Sequence, residues 1–140
     1  QDGFFRVWDT REKKGVVKIG LHRNTTGAGA VGGILESMTG HIITYGADNT
    51  VKVLDPRRSF EEILTFTEHS TFIYSLHTAG EYIFSGSGNG MLMVHSIQQG
   101  RLLYGLGASQ EGAVRAIHST SNKLVTAGDD GNVLIFTLDF

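Results

Sequence analysis

Gly40–Asp55 reads GHIITYGADNTVKVLD, and Asn122–Thr137 reads NKLVTAGDDGNVLIFT. Each is a short run rich in Ile, Val, Leu and Thr, then a tight polar turn, then a second such run, which is the pattern of a β-hairpin. Residues 32–55, 73–96 and 114–137 overlay without a gap at a spacing of 41 residues. Asp48, Asn89 and Asp130 coincide in this overlay, as do Ile42, Ile83 and Leu124, and Val53, Val94 and Ile135. Residues 2–9, DGFFRVWD, fit the turn and following strand of one more unit, with Asp2 lying 46 residues before Asp48. A fixed period of this size marks a supersecondary module that cannot bury its apolar face alone and must stack on its neighbours.

Working outward from the hairpins, each full unit reads as four strands. The first is expected at 32–37, 41–46, 50–55 and 61–67, the second at 72–78, 81–87, 91–97 and 102–107. The third supplies 114–119, 123–128 and 132–138, and the start of the chain supplies only the latter two strands of an earlier unit. The units therefore span 2–22 (partial), 31–67, 72–107 and 113–140. Nineteen glycines against a single proline suit tight turns that need positive φ between strands. No window of eleven or more residues carries a helical period, so the fold class is all-β.

Composition narrows the function classes. A net charge of −2 offers no basic stripe, so nucleic acid is not an expected partner. No apolar run approaches the length of a membrane span. The absence of cysteine removes disulfides and thiolate metal sites, and it suits a reducing interior, so the expected setting is intracellular, cytoplasmic or nuclear.

The period, the Asp-x-x-[Val/Ile/Leu]-x-[Val/Ile] pattern after each turn and the Trp8-Asp9 dipeptide resemble the WD-repeat family of β-propellers. The resemblance covers essentially the whole chain and implies a partial β-propeller of about three and a half four-stranded antiparallel blades. Rings of this kind close with about 4–8 blades, so it further implies that the remaining blades lie upstream in a parent chain. Pairing of two copies into one ring is disfavoured, because the strand at residues 4–9 would then have no blade to complete.

The family also has a buried hydrogen-bonded chain running from a His through a Ser or Thr to a turn Asp and a Trp. Carried over, it implies a structural network of His22, Thr44 and Asp48 in the first full unit, with Leu54 in place of Trp. The second unit offers His69, Ser85, Asn89 in place of Asp and His95 in place of Trp. The third offers Thr126 and Asp130, with Phe136 in place of Trp and Ser109 or Gln110 near the His position. Asp2 and Trp8 represent the fragment at the start. No unit holds the full set, which marks a divergent member.

For function, the resemblance implies a protein–protein interaction scaffold that presents loop residues to a protein or peptide, without a covalent step or cofactor. A finer version is a substrate-recruiting or complex-assembly subunit, such as a ubiquitin ligase adaptor. Tyr74 and Arg115 are equivalent positions just inside the first strands, with Gly33 third in the series, and together with Phe72 they are the candidate partner-binding residues. Aromatic and Arg side chains are what interface anchors favour. The alternative is a nucleotide-binding oxidoreductase fragment using Gly27–Gly32, which matches G-x-G-x-x-G. That mechanism needs the last glycine to open a helix whose N-terminus faces the pyrophosphate.

Two further constellations stand out. His77 and His118 are equivalent, with Glu36 third, so a metal site facing the channel is conceivable, although no short ligand motif supports it. His41 and Glu81 fall at hairpin tips and are expected to be solvated.

Overall fold

The computed structural model of the protein describes residues 1–23 and 29–139. Among these residues thirteen strands form four antiparallel sheets, with no α-helix. A first two-stranded sheet pairs β1 (Phe4–Asp9) with β2 (Lys14–Gly20). The second sheet runs β3 (Val31–Glu36), β4 (Ile42–Gly46), β5 (Val51–Asp55) and β6 (Glu61–Phe66). The third repeats that order with β7 (Ile73–Ala79), β8 (Tyr82–Ser87), β9 (Met91–Ser96) and β10 (Arg101–Gly107). The last has three strands, β11 (Val114–Ser119), β12 (Lys123–Gly128) and β13 (Val133–Thr137). The chain is an all-β partial propeller, and the expected strands agree with these to within a residue or two.

The central turn of each hairpin needs a residue with positive φ. Asn49, Gly90 and Gly131, spaced by the period, supply it at 64°, 83° and 79°. Asn and Gly are the residues that tolerate this region most readily.

Sheets pack face to face in chain order, each turning a leading face onto the trailing face of the next. Phe5 and Leu21 of the first sheet pack on Leu54 of the second, with Val7, Ile19, Ile42 and Phe60 at the margin. Ile43, Val51, Val53 and Phe66 of the second pack on Ile73 and Ile83 of the third. Phe84, Leu92, Val94 and Ala108 of the third pack on Val114 and Leu124 of the last. Side chains alternate across each strand, so one face of every sheet feeds the layer ahead and the other the layer behind. The innermost strands β3, β7 and β11 lie side by side, and the Ser75 hydroxyl donates to the Val114 carbonyl at 2.7 Å across one of these junctions.

One part of the repeat arithmetic fails. Leu76 pairs with Ser85 and His77 with Phe84, so a spacing of 41 would pair Leu35 with Thr44. Instead Ile34 pairs with Thr44, Leu35 with Ile43 and Glu36 with Ile42. Strand β3 is displaced by one residue, and a slip of one moves every side chain to the opposite face. The displacement puts Leu35, rather than the Glu36 carboxylate, at the position of His77. Two small residues permit it: a Cβ on Gly32 or Gly33 would sit 2.4 or 2.5 Å from the Tyr45 ring, which lies across both. Gly32, not Gly33, is therefore the structural counterpart of Tyr74.

Candidate functional site

The turns at 47–50, 88–91 and 129–132 lie at the same end of the molecule as the starts of β3, β7 and β11. The pairings Val31 with Gly46, Ile73 with Ser87 and Val114 with Gly128 fix this. At each entrance one residue is left out of the ladder: Gly32, Tyr74 and Arg115. A bulge re-aims the extra side chain and strengthens the local twist. The rim thus carries a large side chain at two of its three bulges.

These side chains meet each other. The Arg115 guanidinium lies over the Tyr74 ring, 4.4 Å from its centroid. Arg115 also donates through Nε and Nη2 to the two oxygens of Asp129, at 2.7 and 3.1 Å. Asp129 accepts the Ala113 amide as well, and the Arg115 bonds, then this amide, hold its carboxyl below the usual carboxylate range. The clamp fixes a side chain that would otherwise sample many rotamers, which lowers the entropy lost on binding. Phe72 is 54% exposed and Tyr74 44%, with ring centroids 6.4 Å apart. A shallow cavity of about 320 Å³ opens beside Tyr74 and Arg115, both of which line it with Ile34, Tyr45, Leu76 and Ile117. Asp129 was missed in the sequence. The signal was the doubled Asp129-Asp130, where the other two turns read Ala47-Asp48 and Gly88-Asn89.

Beneath the rim the three units hold polar side chains in different ways. In the second sheet the His22 ring, fully buried, lies 2.9 Å from Asp48 Oδ1 through Nδ1 and 2.8 Å from Thr44 Oγ1 through Nε2. Burial keeps the imidazole neutral by lowering its pKa, against the pull of Asp48, so Nδ1–H donates to Asp48 and Nε2 accepts from Thr44. Burial opposes the Asp48 charge. The His22 ring, and then the Thr50 hydroxyl and amide, outweigh that effect and leave the carboxyl below its ordinary value. Gly46 makes the approach possible, since a Cβ there would stand 2.2 Å from the His22 ring.

In the third sheet His69 Nε2 lies 2.7 Å from the Ser85 hydroxyl, and Nδ1 has no partner among the described residues. Asn89 turns elsewhere: its Oδ1 accepts the Ser87 hydroxyl and the Met91 amide, and its Nδ2 donates to Ser70. His95, in the Trp position, is fully buried against Phe66 and bonded to Glu68 at 3.0 Å. Asn89→Asp is expected to place a carboxylate near the open nitrogen and raise the His69 pKa by about one unit or more. An NMR pH titration of the ring checks this.

The last sheet has no His at the position of His22 and His69. Ser109 lies over Gly128, where a Cβ would meet it at 2.7 Å, and the buried Thr126 hydroxyl has no partner among the described residues. Asp130 accepts from the Asn132 amide and side chain within the turn and from the Gln110 amide in the loop before β11. Asp2 pairs with Arg6 and the Phe4 amide on the surface.

Several expectations need correction. Trp8 is 65% exposed and belongs to no buried chain, because no sheet among the described residues stands opposite its face, where the equivalent Leu54 and His95 lie against the sheet before them. His77 and His118 do approach, with ring centroids 5.4 Å apart. The slip in β3 takes Glu36 away from them, and no group of three potential ligands gathers among the described residues. His41 and Glu81 are engaged rather than merely solvated: Thr39 bonds the His41 ring at 2.7 Å and the Ser96 hydroxyl donates to Glu81, also at 2.7 Å. In the Gly27–Gly32 loop, Gly27 and Ala28 lie outside the described residues. The loop leads into strand β3, which begins at Val31, where a dinucleotide site requires a helix.

The repeat model described as WD domain, G-beta repeat matches residues 60–96 and 100–137, more than half of the chain. The chain belongs to the WD40 repeat family. No curated protein matches the sequence. Among solved structures, the crystal structure of the computationally designed Ika4 protein is similar at a TM-score of 0.81 and 22% identity, covering 99% of this chain and 81% of that one. The computationally designed Ika8 protein is similar at a TM-score of 0.81 and 23% identity, covering 98% of this chain and 41% of that one. At such identities the likeness concerns the fold. As a WD40 repeat protein, the chain has the kind of fold that serves as an interaction scaffold.

Proposed function

We propose that this WD40 repeat chain is a non-catalytic scaffold that docks a protein or peptide on the rim formed by Phe72, Tyr74 and Arg115. The observation that carries this reading is the Arg115 guanidinium clamped by Asp129 and stacked on Tyr74 beside an open cavity of mixed polar and apolar lining. A pre-ordered Arg–Tyr pair beside an exposed Phe combines the side chains most enriched among binding hot spots with little ordering left to do. Substrate recruitment to a ubiquitin ligase is one assembly role that would use this rim, with the ligase-binding module outside residues 1–140. The intracellular setting expected from the cysteine-free sequence belongs to the same proposal.

Peptides selected from a displayed library against the wild-type protein test it. Tyr74→Ala and Arg115→Ala are each expected to weaken the selected peptides about tenfold or more, with Phe72→Ala behaving likewise. Arg57→Ala, on the opposite rim, is expected to leave them unaffected, and all four variants to melt close to the parent. Selected peptides indifferent to the three rim substitutions would refute the assignment.

A further inference from the structure

A cavity of about 380 Å³ opens between the second and third sheets, at the rim opposite Tyr74. That volume falls within the range of small-ligand sites. Its floor is apolar: Ile63 of β6 and Ile97, just after β9, stand at the margin of the core that these two sheets share. Thr39 and His41 from the tip joining β3 to β4, Glu81 from the tip joining β7 to β8, and Gln98 complete the lining. The repeat shows why the space is open. His41 and Ile97 correspond to Tyr82 and Leu138 one period on. Ile63, left out of the β5–β6 ladder, corresponds to Leu103, left out of the β9–β10 ladder. At that next junction Tyr82, Leu103 and Leu138 all pack on the apolar core. Here the smaller imidazole of His41 stands in place of the phenol, bonded to Thr39 of its own hairpin at 2.7 Å.

We propose that this cavity binds an aliphatic chain ending in a protonated amine, with the stem on Ile63 and Ile97 and the ammonium against Glu81. The lining holds this one carboxylate and neither Lys nor Arg. Glu81 is already fixed in place: the fully buried Ser96 hydroxyl donates to it at 2.7 Å and accepts the Gln99 amide at 2.9 Å. The Tyr82 hydroxyl bonds it too. A carboxylate has about four lone-pair sites, so these two donors leave Glu81 capacity for an ammonium. An apolar stem under a charged head is the form that lays its methylenes on apolar surface while the head stays at the wet edge. A free alkylamine and the side chain of a lysine in a partner segment share this chemistry.

Methyl NMR of Ile63 and Ile97 tests this, with hexylamine, hexanol, hexanoate and a capped Ala-Lys-Ala peptide as probes. Hexylamine is expected to shift both residues saturably and to bind about fivefold more tightly than hexanol, with hexanoate weaker than either. Glu81→Gln, which keeps an acceptor for Ser96, is expected to erase the difference between amine and alcohol. His41→Tyr puts the residue of the next repeat at this position; it is expected to fill the space, melt close to the parent and abolish binding of both. Saturation by the peptide at lower concentration than by hexylamine would assign the site to a partner's lysine, and the reverse order to a free amine. Hexanoate binding as tightly as hexylamine, shifts that persist in the His41→Tyr protein, or no saturable shift from any probe would overturn the proposal.

Discussion

Replacing Asp48 with alanine is expected to destabilise the protein by about 2–4 kcal/mol. For a chain of this length that is a fall in melting temperature on the order of 10 °C. The reason is the loss of one carboxylate that holds three donors at once. His22 is fully buried and donates through Nδ1 to Asp48, and the Thr50 amide and hydroxyl bond the same oxygen. Truncation removes the nearer acceptor of a buried N–H and leaves it only the longer contact, 3.3 Å, to the Thr50 hydroxyl, which itself loses its bond to Asp48. Asp130→Ala is the informative contrast. It occupies the same repeat position, yet its bonds all go to the surrounding loops at the surface, so its effect is expected to be much smaller. Thermal melts of the two variants side by side decide the matter; equal losses would mean that turn geometry, rather than the buried imidazole, supports the fold.

The second large effect is a loss of stability in mild acid. Burial, followed by the neighbouring His95 charge, lowers the His69 pKa from the ordinary 6.5 to about 4. Its folded pKa lies below its unfolded one, so its contribution is fully present above pH 6.5 and is lost as pH falls through the window down to about 4. Within that window the unfolded chain binds a proton that the folded chain refuses. One such group lowers stability by about 1.4 kcal/mol per pH unit, to about 3 kcal/mol in all. His22, His95 and His77 are lowered by burial too and act in the same direction. Asp48 and Glu68, both held below the usual carboxylate range, contribute stability that begins to fall near their ordinary values of 3.8 and 4.5 and is lost as pH drops further. Denaturant titrations from pH 7.5 downward are expected to show the slope, and His69→Gln to reduce it by about 1.4 kcal/mol per pH unit. A variant with the parent's slope would remove His69 from this account.

The hairpins were legible because two short-range signals agreed there. Alternating apolar residues marked the strands, and Asn49, Gly90 and Gly131 marked the turns, so neither reading depended on distant parts of the chain. The candidate site was legible only in part. Tyr74 and Arg115 were placed together by counting repeats, but their stacking depends on the bulge at each inner strand, and their clamp on Asp129 depends on which side chains converge at the rim. The His22–Asp48 contact followed the family pattern. Asn89 and Asp130, in the same column of the overlay, turned to other partners because Ser87 and the Gln110 amide compete for them locally. Trp8 was misplaced for a related reason: a residue's position in a repeat specifies which face it lies on, and burial of that face depends on what stands opposite.

Period, turn chemistry and alternation determined by themselves that this chain forms antiparallel sheets stacked in sequence order, since each is written in residues within hydrogen-bonding reach of one another. The tertiary structure alone decided the register of β3, the partners of the buried histidines and the exposure of Trp8. Those outcomes depend on contacts between sheets, where a one-residue slip or a missing neighbour changes which side chains meet while the local pattern stays the same.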